Sequence, residues 1–218
     1  MMFRNRAEAG RRLAERLLHL KNAYPVVLAL PRGGVPVAWP IAEAISAPLD
    51  LLLVRKIGAP EQPELALGAV VEGEPPQIVV NDEIVRLLDV PPAAIAREAA
   101  RQIDEIARRR RLWLRETPAV PLHGRTVVVV DDGIATGATV RAALSALARA
   151  GAARRVLAAP VAPRETAEAL RGLCDEAVFL AEPPDLGSVG AFYGDFHQLE
   201  DAEVVALLDR AAGRKSAG

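Results

Sequence analysis

The sequence predicts an α/β fold, with a mostly parallel central sheet flanked by helices. Three observations point to it. Val26–Leu30 (VVLAL) reads as a buried strand, Val127–Val130 (VVVV) has the branched character of a strand buried on both faces, and Glu176–Leu180 (EAVFL) reads as the last parallel strand. Stretches with helical spacing separate them, the alternation expected of βαβ units. Two of the runs pass through a turn of small residues directly into a helical pattern, at Pro31–Gly34 and at Gly133–Thr139.

The elements follow in order. Arg4–Leu20 reads as an amphipathic helix, with Ala9, Leu13, Leu17 and Leu20 on one face and Arg and Glu outside. Val26–Leu30 is the first strand, and Val35–Ile45 resumes helical spacing. Leu49–Ile57 (LDLLLVRKI) reads as one strand with Arg55 and Lys56 at its end. Leu65–Val71 and Gln77–Val80 form a pair of strands around a Gly-Glu-Pro-Pro turn. Asn81–Leu88 starts a short helix that Pro91-Pro92 breaks. Ile95–Glu116 is a long charged helix. Its Arg108–Arg111 run fits a solvated outer face, with Ile103, Ile106, Leu112 and Trp113 packing beneath; contact with phosphates or RNA is the alternative. After Val127–Val130 come a helix over Val140–Ala150, a strand over Arg155–Ala162, a helix over Arg164–Leu173 and the strand Glu176–Leu180. Glu203–Ala212 is a terminal helix.

Composition bounds the function classes. At 218 residues, 51% hydrophobic and 25% charged, the chain can bury one sizeable α/β domain with an appendage. A formal net charge of −1 argues against a protein that mainly binds nucleic acid. The single Cys174 excludes an internal disulfide, and no Cys/His cluster suggests zinc. The N-terminal stretch lacks the apolar core of a signal peptide, and no run of about 18 uncharged apolar residues suggests a membrane span. The cytoplasm is the expected location.

The chemistry concentrates in Val127–Thr139, VVVVDDGIATGAT. A buried strand ends in two carboxylates, Asp131 and Asp132, followed by a small-residue loop and a helix start. Unpaired N–H groups at a helix start lie at the positive end of the dipole and suit a phosphate. Gly137 and Ala138 allow close approach, and Thr136 and Thr139 add hydroxyl donors. The carboxylates, set back at the strand end, can accept hydrogen bonds from ribose hydroxyls. No Gly-Lys-Ser/Thr follows, so this is not a Walker A loop. The Gly-x-Gly-x-x-Gly fingerprint of dinucleotide sites is absent too. The order fits a sugar phosphate.

VVVVDDGIATGAT resembles the phosphoribosyl pyrophosphate (PRPP) motif of the type I phosphoribosyltransferases. The resemblance spans about Val26–Leu180 and implies that family's fold, with a five-stranded, mostly parallel sheet. The whole chain, 1–218, would then be one domain, with a helical insertion at about 82–116 and a hood or tail at about 185–212. It implies that Asp131 and Asp132 hold the ribose hydroxyls, and that Ala135, Thr136, Gly137, Ala138 and Thr139 cradle the 5′-phosphate. Arg32, Gly33 and Gly34 look like the family's pyrophosphate loop. Arg55 and Lys56 are candidate pyrophosphate ligands, with solvated cations as the alternative. A lid would cover Gly58–Glu64, which makes Glu61 and Glu64 candidates for contact with the acceptor or a proton, against a plain solvated turn. Asp131, Asp132 and Glu64 are therefore the catalytic candidates. Phe192 and Tyr193, in an aromatic tail, are candidates for stacking a flat acceptor, against a packed cap.

The implied reaction transfers the 5-phosphoribosyl group from PRPP to a nitrogen acceptor, nucleobase-like, with release of pyrophosphate. Mg²⁺ is the implied cofactor, near Asp131 and Asp132 but held mainly through substrate and water. PRPP and a small-molecule acceptor are the implied partners, and a homo-oligomer is left open. One departure bears on the acceptor. Purine salvage enzymes for hypoxanthine and guanine carry an Asp where this chain has Ala135. The stretches KIGAPEQPELALGAV and FYGDFHQLED are similar to stand-alone bacterial members with an undefined acceptor. Two rival readings use the same fold, a non-enzymatic PRPP or nucleotide sensor and a PRPP hydrolase.

Overall fold

In a computed structural model, residues 2–60, 62, 65–115 and 117–213 are described. Five strands, β1 (Pro25–Ala29), β2 (Leu49–Leu51), β6 (Thr126–Val130), β7 (Arg154–Val161) and β8 (Glu176–Ala181), form a parallel sheet in the order β2-β1-β6-β7-β8. Side chains alternate across it, as strand geometry requires. Val27, Ala29, Val128 and Val130 enter one core, with helices α1 (Arg6–Leu17), α2 (Gly34–Ala44), α4 (Pro92–Leu114) and α7 (Asp201–Gly213). Val26, Leu28, Val127 and Val129 enter the other, with α5 (Ala138–Arg149) and α6 (Arg164–Arg171). Because both faces are covered, these strands read as continuous apolar runs.

Register decides where the site can form. Ala29 of β1 stands opposite Val130 of β6, and the Leu30 N–H donates to the Val130 carbonyl at 2.9 Å. The two strands therefore end level. The turn after β1 and the acidic pair after β6 start side by side at one edge of the sheet.

The expected single strand Leu49–Ile57 is in fact two. β2 belongs to the parallel sheet, and β3 (Val54–Gly58) pairs with β4 (Ala66–Val71) and then β5 (Gln77–Val80) in an antiparallel sheet. The change-over falls at Leu52–Leu53, where the Leu52 N–H donates to Ala29 and the Leu53 carbonyl accepts from Glu72. Both leucines are buried, so an unbroken apolar run hides the break. The Leu65–Val71 and Gln77–Val80 strands do pair as an antiparallel hairpin.

The short helix after β5 forms as α3 (Asp82–Leu87), with the Asn81 side chain accepting from the Glu83 and Ile84 N–H groups. Helix α4 begins at Pro92 rather than Ile95, because Pro is well suited to the first helical turn. Ile106 and Trp113 are buried beneath it as expected, but Leu112 is 43% exposed. The basic run is largely occupied within the fold. Arg108 and Arg109 both pair with Glu105, whose carboxyl their hydrogen bonds hold down to about 2. Arg110 reaches inward to Glu72 at 2.8 Å and to buried Asp50 at 3.3 Å. No described helix is long and apolar enough to cross a membrane.

Candidate functional site

The loop after β6 turns through Gly137, whose φ of +76° lies in the left-handed region that a side chain would strain. Gly137 precedes the first turn of α5, so the N–H groups of that turn have no intrahelical acceptor. Ala135, Thr136, Ala138 and Thr139 are exposed there, while Ile134 is buried. The Thr166 hydroxyl donates to the Ala135 carbonyl at 3.2 Å and ties the loop to α6.

Across the sheet edge, the Pro31–Gly34 turn leads into α2, and the Pro31–Arg32 peptide is cis. Gly33 packs so tightly on Asp132 that a Cβ there would overlap the carboxylate. The two loops thus touch at one glycine. Asp131 accepts the Asp132 N–H at 2.9 Å. Burial, reinforced by the charge of Asp132, pushes the Asp131 carboxyl well above its ordinary range. Such a pair is poised to take up positive charge or hydroxyl donors.

A third segment closes the site from the C-terminal side. A cavity of about 350 Å³ is lined by Arg6, Arg32, Gly33, Asp132 and Phe196–Leu199. Arg32 Nη1 donates to the Leu199 carbonyl at 2.7 Å and lies 3.9 Å from the Asp201 carboxylate. Arg6 Nε donates to Asp132 Oδ2 at 2.7 Å. The Tyr193 hydroxyl donates to the Asp132 carbonyl at 2.5 Å, and burial raises its pKa.

The family model of the phosphoribosyl transferase domain matches residues 3–181, most of the chain and all of the parallel sheet. The chain belongs to this family. Two curated Mycobacterium tuberculosis relatives, from strains CDC 1551 / Oshkosh and H37Rv, carry names that assign them provisionally to the phosphoribosyl transferases. Each is 47% identical over 210 residues, covering 96% of this chain and 47% of its own length. The chain thus spans about half the length of the curated relatives it matches. A crystal structure, that of TT1426 from Thermus thermophilus, superposes with a TM-score of 0.83 at 46% identity, covering 95% of this chain and 98% of that one. The fold is that of the type I phosphoribosyltransferases.

On this phosphoribosyltransferase fold the expected site residues fall into four groups. Asp131, Asp132, the Ala135–Thr139 loop, Arg32, Gly33 and Gly34 come together at the sheet edge. Arg55 and Lys56 lie on β3 in the antiparallel sheet, and neither is among the residues lining the cavity. Arg55 Nε donates to Gln102 of α4 at 3.0 Å. Glu61 and Glu64 lie outside the described residues. In the tail, Phe192 is half-buried and Tyr193 is 5% exposed, its ring set between Phe3 and Phe196 at 5.4 and 5.0 Å. Packing of this kind leaves the Tyr193 ring no open face for a flat acceptor and gives its hydroxyl a place against Asp132 instead.

Sequence reasoning missed Arg6, which it set on the solvent side of the first helix. Arg6 is only 8% exposed. The signal was present, since Arg6, Ala9, Gly10, Leu13 and Leu17 recur at helical spacing and share the buried stripe. A cation in that stripe needs a buried partner, and the partner is 126 residues away.

Proposed function

We propose that this chain binds PRPP with Mg²⁺ and transfers the 5-phosphoribosyl group to a nitrogen acceptor, releasing pyrophosphate. The observation that carries the reading is the level ending of β1 and β6, which sets two helix-start turns on either side of one acidic pair. The Ala135–Thr139 turn suits the 5′-phosphate, and the Arg32–Gly34 turn suits the pyrophosphate. Asp131 and Asp132, between them, suit the ribose hydroxyls. In the transfer, the bond from the anomeric carbon to pyrophosphate breaks and a bond to the acceptor nitrogen forms. The turns contribute by holding both ends of the substrate and by meeting the charge that grows on the leaving group.

The donor set fits Mg²⁺. Among the described residues no cluster of three or more His, Cys, Asp or Glu side chains could hold a metal. The ion would be held mainly by oxygens of the substrate and of water, with Asp131 and Asp132 close by, as this cation prefers. When bound it offsets the charge of the departing pyrophosphate.

One observation favours a second reading, PRPP hydrolysis without an organic acceptor. The Tyr193 ring is buried against Phe3 and Phe196, and Phe196 also carries the Arg6 guanidinium, so these two rings offer little stacking platform. Pyrophosphate release from PRPP and Mg²⁺, with and without pooled nucleobases and small amines, separates the readings. Release that requires the pool is the expected result. Release without it favours the hydrolase. Absence of release despite measured PRPP binding overturns both in favour of a sensor or an acceptor outside the pool.

A further inference from the structure

Arg6 joins three parts of the site that are far apart in sequence. Its Nε donates to Asp132 Oδ2 at 2.7 Å, and its Nη1 donates to the His197 carbonyl at 3.0 Å. Its guanidinium lies 3.8 Å from the centroid of the Phe196 ring. That ring also stacks on Tyr193, whose hydroxyl holds the Asp132 backbone. Asp132 is thus gripped at its carboxylate by Arg6 and at its carbonyl by Tyr193, while Gly33 closes on it from the pyrophosphate turn.

Packing alone does not account for an arginine here. The stripe that includes Arg6 continues with Ala9, Leu13 and Leu17, all buried, and an apolar residue would extend it at no electrostatic cost. Burying a guanidinium is costly unless its hydrogen bonds are met. At Arg6 they are met by a carboxylate of the acidic pair and by the segment that lines the cavity. Oδ2 of Asp132 is engaged by Arg6, and that charged hydrogen bond fixes how the carboxylate is turned beside Asp131.

We propose that Arg6 is a positioning residue of the PRPP site, fixing the Asp132 carboxylate for the ribose and tying the Phe196–Leu199 segment over it. This rests on the PRPP reading above. Arg6 acts through Asp132 and the tail, and its hydrogen bonds to Asp132 and His197 do not reach the Arg32–Gly34 turn directly. Its loss should therefore affect the ribose side of the substrate and spare the pyrophosphate side.

Calorimetric titration of the full chain with PRPP–Mg²⁺ and, separately, with pyrophosphate–Mg²⁺ tests this. Arg6→Gln should weaken PRPP about tenfold, the size of one charged hydrogen bond, and leave pyrophosphate affinity unchanged. Arg6→Lys, which keeps the charge without the planar fork, should recover part of the loss. Phe196→Leu should shift the ratio of the two affinities in the same direction. Unchanged PRPP binding in Arg6→Gln overturns the proposal. Tighter binding also overturns it, because Arg6 would then be a lock on Asp132. An equal loss for both ligands overturns it in favour of a purely structural part. If Arg6→Gln does not fold, the ratio in Arg6→Lys and Phe196→Leu decides by the same criteria. A wild-type protein that binds pyrophosphate but not PRPP removes the PRPP reading itself, a failure distinct from that of Arg6.

Discussion

A methyl group on Gly33 would overlap the Asp132 carboxylate, although the backbone there, with φ near −60°, would accept any residue. Gly33→Ala should therefore act through contact and not through backbone strain. We predict a loss of PRPP affinity of about tenfold or more, with a stability cost of only about 1–2 kcal/mol as the turn shifts. Calorimetry beside thermal unfolding checks both halves, and a variant that binds normally would mean that the two loops need not touch. His197 offers a second test. Its Nδ1 lies 2.8 Å from Asp195 and its Nε2 lies 3.0 Å from Glu203, so both nitrogens donate only when the ring is protonated. Those hydrogen bonds, Asp195 first, raise its pKa above 6.5. A raised folded-state pKa stabilises fully below the unfolded value and loses that stabilisation as pH rises through the folded one. Wild type should exceed His197→Gln in melting temperature in mildly acidic buffer and match it in alkaline buffer. An NMR midpoint for His197 at or below 6.5 would remove the basis for this expectation.

At the scale of elements, α4 is fixed to both sheets by one half-buried cation. Asp50 of β2 accepts from its neighbour Leu51 and from Val120, and it shares Arg110 of α4 with Glu72, which follows β4. Burial pushes the Glu72 carboxyl up, and Arg110 pulls it back. Arg110→Ala would leave two acids facing each other with little water, and should cost about 3 kcal/mol in denaturant unfolding. A loss below about 1 kcal/mol would place Arg110 with ordinary surface pairs. The sequence put this arginine on a solvated face. A run of four arginines has no periodicity to show which member turns inward, and Asp50 and Glu72 are 60 and 38 residues away.

Across the whole molecule, the Arg32–Gly34 turn and the tail compete for one guanidinium. Arg32 donates to the Leu199 carbonyl at 2.7 Å and approaches Asp201, which also accepts from Trp113 of α4 at 2.9 Å. A pyrophosphate that takes Arg32 would withdraw that donor from the start of α7. We predict faster amide exchange over residues 199–201 when pyrophosphate and Mg²⁺ are added, against the protection that ligands usually bring. Uniform protection would show that Arg32 keeps its tail contact in the complex.

The sequence by itself determined the parallel sheet and the acidic pair and small-residue turns at its edge. Val127–Val130 is apolar throughout because both faces are buried, and Asp131–Thr139 is contiguous, so strand, acids and helix start are specified locally. The same locality made the Arg32–Gly34 turn legible. Tertiary structure alone decided what surrounds that edge. The break of Leu49–Ile57 into two sheets depends on partners on Ala29 and Glu72, and a run of buried leucines looks the same in either sheet. Arg6 and the Phe196–Leu199 segment reach the site from opposite ends of the chain. Only folding brings a helix N-terminus, the end of β6 and a C-terminal loop within hydrogen-bond reach of one another, because contacts between distant residues leave no periodic mark in the sequence.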